Sequence, residues 1–133
     1  MTSSESAKKI VFIEDDTVMS EIITRKLNAH GFLVKTALDG KEGLRLVLKE
    51  KPTLVILDLL LPEMDGYQVL EKIRDNPNQE IAKTPVMILS NVWSNEDKKR
   101  AENLGIEDYL IKSQFTTEEI INKVSAITDK LKP

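Results

Sequence analysis

Short apolar runs alternate with amphipathic stretches along this chain. Lys9-Ile10-Val11-Phe12-Ile13, Phe32 to Ala37, the run through Val55-Ile56-Leu57, Pro85-Val86-Met87-Ile88-Leu89 and Asp108-Tyr109-Leu110-Ile111 are each bounded by turn residues or charge and read as strands. Between them, Thr17 to His30 carries Val18, Met19, Ile22, Ile23 and Leu27 on one face and stops at Gly31, which predicts a first helix. Asp39 with Glu42 opens a second, through Leu44, Val47 and Leu48 to about Pro52, and Asp65 with Gln68 a third, through Tyr67, Leu70 and Ile73. Asp75-Asn76-Pro77-Asn78 breaks that helix, and the polar stretch from Pro77 to Thr84 is expected to be a mobile loop. Ser94 with Asp97 starts a fourth helix that ends at Gly105 and has only Ala101 and Leu104 as clear core positions. An element so thinly anchored is either a moving part of a switch or an ordinary exposed helix. Thr116 with Glu119 starts the last helix, whose Ile120, Val124, Ile127 and Leu131 form a core face.

Alternation of this kind argues for βαβ units and a parallel sheet. The chain has 133 residues, enough for one domain with a real core, and 41% hydrophobic with 31% charged residues are globular values. Residues 1–8 read as a short disordered lead and 9–133 as the domain. There is no cysteine, so neither a disulfide framework nor a thiolate-held metal. No apolar run is long enough to span a bilayer, so a soluble protein with no membrane partner is expected. A net charge of −3 with interspersed signs offers no basic face, and direct nucleic-acid binding is not expected. Lys98-Lys99-Arg100, flanked by Glu96, Asp97 and Glu102, reads as a solvated helix face. The sequence stops soon after the last helix, as a stand-alone protein or a fragment would.

Chemistry gathers where the strands end. Asp58 is a lone carboxylate in an otherwise apolar run, Glu14-Asp15-Asp16 follow the first strand, Ser90 the fourth and Lys112 the fifth. Open parallel sheets place their sites at these carboxyl ends. Each feature has a plainer reading alone: a turn aspartate, an acidic helix start, a solvent-facing lysine. Together they offer a nucleophile, carboxylates for a hard cation, a hydroxyl donor and a point positive charge, the parts that phosphoryl transfer to a carboxylate requires.

From about Lys8 to Lys130 the order of acidic pair, acceptor Asp, hydroxyl, Tyr and Lys resembles the receiver domain of bacterial two-component response regulators, including the single-domain chemotaxis type. The resemblance implies a flavodoxin-like (βα)5 fold, a doubly wound five-stranded parallel sheet in strand order 2-1-3-4-5. It implies a cytoplasmic phospho-acceptor switch that catalyses its own phosphorylation and dephosphorylation and turns over no external substrate. Asp58 would be the phospho-acceptor, assisted by Lys112 and Ser90. Mg2+ or Mn2+ would be held by Glu14, Asp15, Asp58 and the backbone carbonyl of Leu60, with Asp16 left as a helix cap. Ser90 and Tyr109 would be the switch pair, passing the change to the face built from the last two helices and the strand between them. The implied partners are a sensor histidine kinase or phosphotransfer protein and an unknown downstream protein.

Two positions depart from the family's pattern. Ser113 stands where a proline usually follows the lysine, and Asn91 where a small residue usually follows the hydroxyl. A cis bond before a non-proline residue costs ~2.5–4 kcal/mol, so a trans Lys112–Ser113 peptide is expected, which leaves the reach of Lys112 open. A phosphatase of the haloacid-dehalogenase type would need a second Asp at Leu60, and a flavin-phosphate loop would be repelled by Glu14-Asp15-Asp16. A receiver-like interaction module working without phosphorylation is the remaining alternative.

Overall fold

In the computed structural model, which describes residues 7–131, the five apolar runs form one parallel sheet in the order β2-β1-β3-β4-β5. The strands are β1 (Lys9–Ile13), β2 (Leu33–Ala37), β3 (Leu54–Leu57), β4 (Val86–Ser90) and β5 (Asp108–Ile111). The helices are α1 (Thr17–Ala29), α2 (Gly40–Glu50), α3 (Gly66–Arg74), α4 (Gln79–Ala82), α5 (Asn95–Leu104) and α6 (Thr117–Lys130). Residues 1–6, most of the expected lead, lie outside the described residues. Lys8 is tied down: its ammonium donates to the Thr128 carbonyl at 2.9 Å and lies 3.6 Å from Asp129.

Side chains of a strand point alternately to the two faces, and both faces are covered here. Val11, Ile13, Val55, Leu57, Val86 and Ile88 join one core with Val47 of α2, Leu70 and Ile73 of α3 and Ala101 of α5. Ile10, Phe12, Leu54, Ile56, Met87 and Leu89 join the other with Ile23 and Leu27 of α1 and Ile120, Val124 and Ile127 of α6. This double burial is why the central strands read as continuous apolar runs rather than alternating ones.

The helix starts follow the expected caps. Asp65 with Gln68 and Thr116 with Glu119 form reciprocal capping boxes, Ser94 accepts from the Asp97 N–H, and Asp16 accepts from the N–H groups of Val18 and Met19. At α2 the box is only half formed. Asp39 accepts from the Glu42 N–H at 2.7 Å, but the Glu42 carboxylate turns to Arg45, which donates to it at 2.6 and 2.9 Å.

The stretch Pro77–Thr84 differs from the expected mobile loop, because it contains α4 with Ile81 and Ala82 buried. Arg74 anchors it. Its guanidinium donates to the carbonyls of Ala82 and Thr84, both at 2.8 Å, and to those of Leu104 at 2.9 Å and Gly105 at 2.7 Å. One side chain thus fastens α4 and the end of α5 to α3.

Candidate functional site

The chain order doubles back between β1 and β3, so the crevice beyond their carboxyl ends lies at a topological switch point. β3 ends at Leu57, and its ladder with β1 continues one step further, the Asp58 N–H donating to the Ile13 carbonyl at 3.1 Å. Asp58 is therefore fixed beside Glu14 and Asp15. Gly66 packs against the next turn so closely that a Cβ there would lie 2.3 Å from the Asp58 carbonyl and 2.6 Å from Leu59 Cα.

Every oxygen of the Asp58 carboxylate is held. Oδ1 accepts from Ser90 Oγ at 2.7 Å and from the Leu60 N–H at 3.1 Å, and Oδ2 accepts from Lys112 Nζ at 2.7 Å. Lys112 also lies 2.6 Å from Glu14 Oε1, and Glu14 Oε2 accepts from the Asp16 N–H at 3.1 Å. The 2.6 Å contact is an ion pair without hydrogen-bond alignment, so Glu14 Oε1 is a buried acceptor with capacity to spare. Glu14 and Ser90 are fully buried, Asp58 nearly so, and Asp15 is exposed.

The carboxylate oxygens of Glu14, Asp15 and Asp58 lie within 4.8 Å of one another. Glu14 and Asp58 both pair with the single ammonium of Lys112, and the Asp15 carboxylate stands beside them. Burial pushes Glu14 up from 4.5 to about 7, and the Asp58 charge adds to the rise, against the opposing pull of Lys112 and the Asp16 N–H. Burial works to lower the Lys112 ammonium, but Asp58 and Glu14 more than offset it and hold it above its usual range. Three carboxylates sharing one ammonium, with burial holding Glu14 toward its protonated form, are oxygen donors of the kind a hard divalent cation takes.

The described residues contain no cis peptide, so Lys112–Ser113 is trans as expected, and Lys112 still reaches both carboxylates. It does so from a 3-10 turn, Lys112–Gln114, that leaves β5 at once. Ser90 already points at Asp58. The Tyr109 hydroxyl donates to the Val92 carbonyl in the loop between β4 and α5, and burial, then the Asp97 and Asp58 charges, push that phenol up to about 12. Trp93 in the same loop is 48% exposed, and Leu60, beside Asp58, 65%.

Residues 10–125 match the family model described as the response regulator receiver domain. The chain belongs to the response regulator receiver domain family. Among relatives, this receiver domain is 37% identical over 118 residues to the transcriptional regulatory protein HprR of Escherichia coli (strain K12), covering 89% of this chain and 50% of that protein. It is 33% identical over 126 residues to the DNA-binding dual master transcriptional regulator RpaA of Synechocystis sp. (strain ATCC 27184 / PCC 6803 / Kazusa), covering 92% and 51%. The receiver domain of Francisella response regulator 1452 superposes with a TM-score of 0.82 at 30% identity, covering 94% of this chain and 99% of that one. The receiver domain spans about half the length of the curated relatives it matches.

These relatives correct one expectation. Absence of direct nucleic-acid binding was inferred from the net charge and mixed signs, yet HprR is a transcriptional regulator by name and RpaA a DNA-binding one. Surface charge describes only the domain that carries it, and half of each of those proteins lies outside the match. Among the described residues, no helix is long and apolar enough to cross a membrane.

Sequence reasoning passed over Tyr67, Asp97 and Arg100 as a unit. The Tyr67 hydroxyl donates to Asp97 Oδ1 at 2.8 Å, Ser94 Oγ donates to Asp97 Oδ2 at 2.9 Å, and the Arg100 guanidinium lies 4.0 Å from the centre of the Tyr67 ring. These contacts fasten the sparsely buried α5 to α3, and only the Ser94–Asp97 spacing carried a sequence signal.

Proposed function

We propose that this receiver domain accepts a phosphoryl group on Asp58 and thereby switches a partner-binding face, as a component of two-component signalling. The donor would be the phosphohistidine of a sensor kinase or phosphotransfer protein, and the setting the cytosol. The observation that carries the reading is the Asp58 carboxylate at a strand end, held by Ser90 and Lys112 beside two further carboxylates.

In the transfer, an Asp58 oxygen forms a bond to phosphorus while the donor's bond to phosphorus breaks, its electron pair leaving with the donor nitrogen or oxygen. Lys112 then exchanges a carboxylate for a phosphoryl oxygen, and Ser90 Oγ turns its proton from Asp58 to the same group. Glu14, Asp15, Asp58 and the Leu60 carbonyl would hold Mg2+ or Mn2+, which supplies the positive charge that lets an anionic nucleophile approach an anionic donor. Return to the resting state is attack of water on phosphorus, releasing inorganic phosphate and the free carboxylate. Both steps occur on the domain itself, with no external substrate turned over.

Output follows from the same contacts. A ligand shifts a conformational equilibrium only through interactions that differ between the states. Ser90 is already turned inward, so the differential contact is the transfer of its hydrogen bond. The Val92 N–H on Ser90 Oγ, at 3.2 Å, and the Tyr109 hydroxyl on the Val92 carbonyl link the site to the loop before α5 and to β5, and the face to be switched is that of α5, β5 and α6. A module working without phosphorylation would need none of these five groups, Glu14, Asp15, Asp58, Ser90 and Lys112, to be kept. The test is intact mass after treatment with a small phosphodonor and Mg2+. Gain of one phosphoryl group by the native protein and none by Asp58→Asn supports the reading, and equal gain by both refutes it.

A further inference from the structure

The two residues that depart from the family pattern touch each other. Asn91 Oδ1 accepts a hydrogen bond from the Ser113 backbone N–H at 3.0 Å. A proline at 113 would have no hydrogen to donate, and a small apolar residue at 91 no oxygen to receive it.

The last rung between β4 and β5 pairs Ser90 with Ile111, so this bond lies just beyond the sheet, where the two chains would otherwise part. On the β5 side the backbone turns at once into the 3-10 turn, which has no side-chain cap of its own at Ile111. The Ser113 N–H is one of the orphan donors that any helical start leaves over, and a side chain from another loop satisfies it. Lys112 is the first residue of that turn. Its ammonium sits on a flexible four-carbon stem, so holding it 2.7 Å from Asp58 and 2.6 Å from Glu14 depends on where its backbone is fixed.

We infer that Asn91 is a positioning residue for Lys112: by clasping the Ser113 N–H it fixes the turn from which the ammonium reaches Asp58. With no proline ring at 113 to fix the backbone, this hydrogen bond holds the turn instead. The clasp also joins the end of β4, which carries Ser90, to the turn that carries Lys112, so the two side-chain donors to Asp58 keep their spacing. Asn91 touches neither carboxylate and acts only through its neighbour. The inference rests on the reading of Asp58 as phospho-acceptor.

The experiment is a double-mutant cycle on the rate of phosphorylation by acetyl phosphate with Mg2+, using native protein, Asn91→Ala, Lys112→Ala and the double variant, together with exchange of the Ser113 amide by NMR. Asn91 and Ser113 are exposed, so truncation at 91 leaves the core intact. Asn91→Ala is expected to slow phosphorylation about tenfold, short of the roughly hundredfold that a misplacement of about 1 Å can cost, because the two ion pairs of Lys112 remain. In the Lys112→Ala background the same change is expected to cause no further loss, and the Ser113 amide is expected to exchange faster without Asn91. Equal slowing in both backgrounds, no slowing at all, or a Ser113 amide indifferent to Asn91 would overturn the inference while leaving Asp58 in place. A native protein that takes up no phosphate would overturn both readings.

Discussion

Glu14 places a charge where the fold resists it, and replacing it with Gln measures that resistance. The carboxyl is fully buried, and that burial pushes it up from 4.5 to about 7. The folded protein therefore keeps a proton that the unfolded chain releases, and stability falls as pH rises from 4.5 through 7. At about 1.4 kcal/mol for each pH unit, the rise is worth about 3 kcal/mol once Glu14 is ionised. Gln cannot ionise, keeps an acceptor for the Asp16 N–H and leaves Lys112 paired with Asp58. Urea unfolding of both proteins, in chelator, separates this linkage from any constant offset that the amide brings. The stability of Glu14→Gln minus that of the native protein should increase by about 3 kcal/mol between pH 4 and pH 8. A difference that stays flat, or one that moves the other way, would mean that Lys112 fully compensates the buried charge.

Divalent cation should relieve the same strain: at a hundred times its Kd, Mg2+ is expected to stabilise the native protein by about 2.7 kcal/mol, and a gain that survives Asp15→Ala would move the metal elsewhere. Arg74→Ala strips the donors from four carbonyls and should cost about 2–3 kcal/mol in denaturant unfolding, with Lys a poor substitute because it lacks the planar fork. A cost under half a kcal/mol would show that water replaces the guanidinium freely. Gly66→Ala drives a Cβ into the Asp58–Leu59 backbone and is expected to cost about 3 kcal/mol and to slow phosphate uptake. Uptake at the native rate would show that the turn adjusts without moving Asp58.

The strands and most helices were legible because each carries a local signal: apolar runs buried on both faces, apolar positions at helical spacing, and caps three residues from their partners. The candidate site was legible because its residues follow strand ends, which a parallel sheet brings to one edge. Contacts between distant segments left no such trace. Arg74 drew no expectation from the sequence, since its carbonyl partners lie 8 to 31 residues away. The α4 turn holds two buried apolar residues, too few to show a period. The burial of Glu14 and the exposure of Asp15 left no mark on the acidic pair: the Glu14 N–H continues the ladder to the Ala37 carbonyl at 3.0 Å, and the chain leaves the sheet at the next residue. Asn91 and Ser113 stood out singly as departures, and 22 residues of sequence concealed that they are one hydrogen bond.

Chemical trapping of the acyl phosphate tests the central claim most directly. Borohydride reduces an aspartyl phosphate to homoserine, so the modified residue can be found by peptide sequencing in a mass spectrometer. After phosphodonor, Mg2+ and borohydride, homoserine is expected at position 58 and at no other aspartate, and it should vanish when chelator replaces Mg2+. Homoserine at Asp15 or Asp16, or at Asp58 regardless of the cation, would contradict the account.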